Sequence, residues 1–151
     1  MSNLQLELAV LDAQVLKTFD PLFRDGYQYQ KAKIDSTPAL GEYVEASVHN
    51  SKLSRSLRVC YLPPCPPHPD ALVVHIDNSA SDSFAIGNYL RHVGAPTTDI
   101  EVIKLGNYQG DFPTRLAACL TAVKGVLDRH LEPIILGKEW KHIPINWMKL
   151  K

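Results

Sequence analysis

The chain begins with an apolar repeat of helical period. Leu6, Ala9, Val10, Ala13, Leu16 and Phe19 recur at steps of three and four, which lines one face of an α-helix. This predicts a helix from about Leu6 to Phe23, distorted at Asp20-Pro21 because proline disfavours helical geometry in the residue before it and ended by "RDG". The period then changes to two. "GYQYQKAKID" puts Tyr27, Tyr29, Lys31 and Lys33 on one side if extended, and its lysines suit a sheet edge, where charge discourages further pairing. In "EYVEASVH", Tyr43 and Glu45 alternate with Val44, Ala46 and Val48; in "RSLRVCYL", Leu57, Val59 and Tyr61 alternate with Arg58 and Cys60. Two such runs joined by "NSKLS" predict a hairpin. "ALVVHID" is the next strand, and its apolar start suits an interior place.

The helical period returns in the second half. "SASDSFAIGNYLRHVG" predicts a helix with Ser81 or Ser83 as N-cap, Asp82 in the first turn, Gly94 past its end and Pro96 beyond. Phe84, Tyr89, Leu90 and Val93 then face the sheet. "DIEVIKL", residues 99–105, reads as a further strand or extended arm. "GDFPTRLAACLTAVKGVLDRHLEPIILG" carries the clearest helical stripe: Phe112, Leu116, Cys119, Leu120, Val123, Leu127 and Leu131, capped by Asp111 with Pro113 in the first turn. The sum is an α+β fold, an antiparallel meander of three to five strands with an N-terminal helix and two C-terminal helices packed on it. One domain spans 1–151, with 138–151 as an extended basic tail, and no internal repeat or linker divides the chain.

Composition narrows the function classes. The 151 residues are 45% hydrophobic and 21% charged, which excludes a disordered or fibrous chain. Sixteen basic residues balance 16 acidic ones, so no global field draws in nucleic acid or an anionic membrane. Lys138, Lys141, Lys149 and Lys151 gather near the end against Glu139 alone, and such a cluster reads as a solvated face. The N-terminus lacks the basic segment and small-residue cleavage site of a secretory signal, and no stretch reaches the ~18 apolar residues of a membrane span. Cys60, Cys65 and Cys119 are an odd set in a chain that needs no staples. A reduced, cytoplasmic setting is the expectation.

The residues of chemical interest concentrate in "CYLPPCPPHPD", residues 60–70. Cys60, Cys65 and His68 are ligand types that zinc accepts, but no second C-x2-C or H-x3-H pair completes a tetrahedron. Prolines 63, 64, 66, 67 and 69 hold the backbone extended or in polyproline II geometry, so the stretch is expected to be a stiff connector between strands. His68-Pro69-Asp70 matches the tripeptide of J-domain cochaperones, in which two antiparallel helices flank it; here a strand follows. "HIDNSASDS" sets His75 and Asp77 on one strand face, with Ser79, Ser81 and Asp82 at its exit. A His-x-Asp pair can bind metal or shuttle a proton, whereas the same polar residues also satisfy turn and helix-start amides. The serines lie in no nucleophile elbow. Cys119 falls on the apolar stripe and is read as core.

The order of elements, with "SFAIGNYLRHVG" and the helix end "LEPIILGKEW" as its more specific parts, resembles a group of small bacterial α+β proteins encoded beside polymorphic toxins, some of them immunity proteins. The resemblance covers most of the chain and carries no catalytic residue. It implies a non-catalytic, cytoplasmic inhibitor that neutralises a cognate toxin or effector by protein contact, without cofactor, nucleic acid or membrane, and with a homodimer open. Asp70, Asp77, Asp82 and Tyr108 are the expected contacts, as acidic and aromatic loop residues. Immunity proteins against basic nucleases are often strongly acidic, which steers association; this chain is neutral, so its toxin need not be a nuclease. Two alternatives stand beside it: a secretion chaperone holding an effector segment, and a small metal-dependent enzyme using His75, Asp77 and the 60–70 stretch.

Overall fold

The computed structural model describes residues 4–78 and 82–144. Helix α1 (Gln5–Thr18) and the short α2 (Asp20–Phe23) precede four long strands, β1 (Gln28–Thr37), β2 (Gly41–Asn50), β3 (Arg55–Leu62) and β4 (Ala71–Asn78). A three-residue β5 (Ser83–Ala85) leads into α3 (Ile86–His92) and α4 (Thr97–Glu101). A 3-10 turn (Leu105–Asn107), α5 (Phe112–His130) and α6 (Glu132–Ile135) complete the order. The five strands form one antiparallel meander, β1-β2-β3-β4-β5, so the α+β expectation holds. Ser79, Ser81 and the tail from 145, with Lys149 and Lys151, lie outside the described residues.

The strand pattern explains the layering. Val44, Ala46 and Val48 of β2, Leu57, Val59 and Tyr61 of β3, and Leu72, Val74 and Ile76 of β4 all turn to one face and are buried. Helices α1 and α5 pack together over that face and close the core with Leu11, Val15, Leu116, Leu120, Val123 and Leu127. The alternate residues of each strand lie on the opposite face, and no helix lies across it among the described residues. A sheet packed on one side and open on the other is what alternating antiparallel strands produce.

Four expectations need correction. The inward stripe of α1 is Leu11 and Val15 with Leu8 half-buried, continued by Leu4 and Phe19 at its two ends, whereas Leu6 and Leu16 are 66% and 41% exposed. The helix is apolar on two sides, so periodicity alone did not fix its rotation. Residues 99–105 do not form a strand: they hold the end of α4 and the start of the 3-10 turn, with Ile100, Val102 and Ile103 half-buried against the core. Ser83 is not a helix cap but opens β5, and α3 begins later, after Ala85, with no side-chain cap. In β1 a register shift between Gln30 and Lys33 breaks the alternation, so Tyr29, Ala32 and Ile34 turn inward. Asp12 Oδ1, from α1, accepts hydrogen bonds from the Ala32 amide and the Tyr29 hydroxyl at that bulge.

The C-terminal segment docks through one buried cation. Arg55, only 7% exposed, donates from Nε to the Ile134 carbonyl and from Nη2 to the Glu139 carbonyl, 2.8 Å each. Its guanidinium carbon also lies 4.9 Å from the centre of the Trp140 ring. Gly137 allows the turn between these contacts: its φ is +74°, and a Cβ there would sit 3.0 Å from Leu53 Cδ2.

Candidate functional site on the open face of the sheet

Cross-strand register assembles the open face in rows. Glu45 pairs with Cys60 and Cys60 with Val73; one row on, Ser47 pairs with Arg58 and Arg58 with His75. Directly opposed residues on one face stand ~5 Å apart at Cβ, so residues 45, 58, 60 and 75 become neighbours despite their separation in sequence. They form the polar floor of a hollow of about 270 Å³, walled by Leu40, Tyr43, Leu62 and Val73. Leu40, in the β1–β2 turn, is 55% exposed at its rim.

The floor is a charge network centred on Arg58. Its guanidinium grips Asp77 with two bonds, Nε to Oδ2 at 2.6 Å and Nη2 to Oδ1 at 3.0 Å, the fork geometry that suits a carboxylate. Nη1 lies 3.5 Å from Glu45 Oε1, which also accepts the Cys60 thiol at 3.4 Å. Glu45 Oε2 takes no hydrogen bond among the described residues, although only 16% of the side chain is exposed. Burial, then the adjacent Glu45 charge, pushes the Cys60 thiol up to about 12, so the sulfur stays protonated and a poor nucleophile. Burial, helped by Arg58, holds His75 below the ordinary imidazole range, and its Nδ1 is enclosed without a partner.

The other expected residues lie elsewhere and are engaged within the chain. Asp70, at the foot of β4, takes Nη1 and Nη2 of Arg115 at 3.0 and 2.7 Å and the Tyr61 hydroxyl at 3.0 Å. Asp82 accepts from Trp140 Nε1 at 2.8 Å and lies 3.1 Å from His142 Nδ1. The Tyr108 hydroxyl donates to the Val102 carbonyl at 2.6 Å, and burial raises its pKa. Of the four expected contacts, only Asp77 is on the open face.

The 60–70 stretch divides. Cys60 belongs to the floor, while Cys65 and His68 close a tight turn at the β3–β4 tip through paired backbone bonds of 3.1 and 2.8 Å. Those paired bonds turn the connector back on itself where the prolines predicted extended geometry. Cys60 is thus not gathered with Cys65 and His68, and among the described residues no group of three or more His, Cys, Asp or Glu side chains is set to hold a metal ion. Tyr43, Glu45, Arg58 and Leu40 were missed as site residues. Alternation had already put Glu45, Arg58 and Cys60 on outward positions; aligning the two strands of the hairpin was the step that could have found them. Compared with known proteins, the chain matches no family model, no curated protein and no solved structure.

Proposed function

We propose that this chain is a non-catalytic binding protein of the immunity type, which neutralises a cognate toxin by docking it on the open face of the sheet. The observation that supports this reading is the one-sided sheet itself: both long helices cover one face, and the other displays Tyr43, Leu62 and Val73 around the Arg58 network on rigid strands. Strand spacing of ~4.8 Å and a rise of ~3.3 Å per residue make that face roughly 20 by 25 Å. With its bordering turns it approaches the ~800 Å² that each partner contributes to a standard interface. Cys60, the group nearest to a nucleophile, is held as a thiol, which suits recognition better than turnover.

The test is co-expression with the product of the neighbouring gene, which this reading expects to be a toxin-domain protein. Wild type is expected to restore growth and to co-purify with that protein. Ser47→Trp, which adds bulk to the open face outside the hollow, abolishes both, whereas Lys52→Ala in the β2–β3 turn leaves both intact. Lack of rescue by wild type, or full rescue by Ser47→Trp, rejects the reading.

A further inference from the structure

The hollow on the open face has the chemistry of a pocket for one kind of side chain. Its walls are apolar, Leu40, Leu62, Val73 and the Tyr43 ring, and Glu45 lies on the floor. The charge on that floor is unbalanced. Arg58 faces two carboxylates, and it spends its two strongest bonds on Asp77. Glu45 is left with a longer contact of 3.5 Å and an uncommitted Oε2. Lys33 and Asp35, which β1 adds to the same face by register with Glu45 and Tyr43, offset each other. His75 adds no positive charge while its ring is neutral.

A mostly buried carboxylate with a free oxygen, beside an apolar wall, calls for a cation on an alkyl stem. The stem covers the leucines and valine, the charged head reaches the carboxylate, and an aromatic ring at the rim adds cation–π attraction. Arginine is also among the residues that most often anchor an interface by filling a pocket. We propose that the hollow is a recognition pocket for a guanidinium or ammonium group on an alkyl stem, the arginine or lysine side chain of the docked partner. This rests on the docking reading above and names the anchor that the face accepts. The head group hydrogen-bonds Glu45 Oε2, and the stem lies between Leu40, Tyr43, Leu62 and Val73.

The probe is butylguanidinium chloride, titrated into the isotopically labelled full chain and followed by two-dimensional NMR. Saturable shifts are expected at Tyr43, Glu45, Arg58, Val73 and His75, with butyrate and pentanol giving none of comparable size. Glu45→Gln is expected to weaken the probe by about 10-fold or more, since a charge-assisted bond becomes a neutral one, while the spectrum keeps its native dispersion. Unsaturable shifts, equal responses to pentanol and butyrate, or undiminished affinity in Glu45→Gln overturn the pocket. The two readings fail separately. If Ser47→Trp loses toxin neutralisation but Glu45→Gln keeps it and the probe does not bind, the docking face stands and the cation pocket falls. If the probe binds at these residues while Ser47→Trp still protects, the pocket stands and the docking reading falls.

Discussion

Arg115 grips both oxygens of Asp70 from the first turns of α5, and Tyr61 adds a third hydrogen bond to the same carboxylate. With 18% and 10% of the two charged side chains exposed, the pair is screened far less than a surface bridge. The Arg115 bonds, chiefly, hold the Asp70 carboxyl below the usual carboxylate range. A depressed folded value means that the stabilisation is complete above the unfolded carboxylate pKa of ~4 and is lost as pH falls through the lower folded value. Asp70→Asn is therefore expected to cost about 1–3 kcal/mol at neutral pH, and its gap to wild type should close below about pH 4. Denaturant melts across pH check this, and a gap that persists unchanged into acid would sink it. The sequence offered Asp70 as the end of a His-Pro-Asp tripeptide and as a partner contact, not as half of an internal ion pair. Its partner lies 45 residues away on a helix, a separation that no local pattern reports.

At the scale of elements, the bulge in β1 shows one element shaping another. The shift between Gln30 and Lys33 leaves the Ala32 amide without a ladder partner, and Asp12 of α1 supplies one at 2.7 Å. The bulge also interrupts the flat edge that β1 offers, a common guard against unwanted strand pairing. Asp12→Ala is expected to destabilise the fold by about 1–3 kcal/mol, the cost of an unpaired amide and hydroxyl in a half-buried place. It should also speed hydrogen exchange at Ala32 and its neighbours before the rest of the sheet, and uniform protection would argue against this role. Elements with a single strong pattern were read best: of the expected stripe, α5 buries Leu116, Cys119, Leu120, Val123 and Leu127, Leu131 is buried just past its end, and Phe112 is half-buried. Elements with a divided pattern were not. Ile100, Val102 and Ile103 have the branched side chains of a strand, yet a tight helical turn after Pro96 brings them against the core more closely than an arm would.

Across the whole molecule, Arg55 joins the hairpin to the C-terminal segment. It bonds four backbone carbonyls, those of Leu53, Ser54, Ile134 and Glu139, and stacks beneath Trp140. Arg55→Leu keeps bulk but takes the charged donor from the Glu139 carbonyl and from the Ile134 carbonyl, which keeps only its bond from the Gly137 amide. The expected cost is about 2–4 kcal/mol, with early exchange of amides in 138–144. An unchanged denaturation midpoint rules this out. The segment that composition describes as a basic tail is, through residue 144, held to the fold by this contact, by Ile143 at 3% exposure and by Trp140 on Phe84 at 5.2 Å.

The sequence by itself determined the kind of each strong element and which residues of each strand share a side. Those follow from periods of two and 3.6 that repeat within one segment. The tertiary structure alone decided the rotation of α1, the bulge in β1, the pairing of Asp70 with Arg115 and the meeting of Glu45, Arg58 and His75. Each depends on register or packing between segments, where a one-residue slip turns every side chain to the other face. The 60–70 stretch that held the conspicuous residue types thus resolves into a turn, and the hollow lies on the strands beside it.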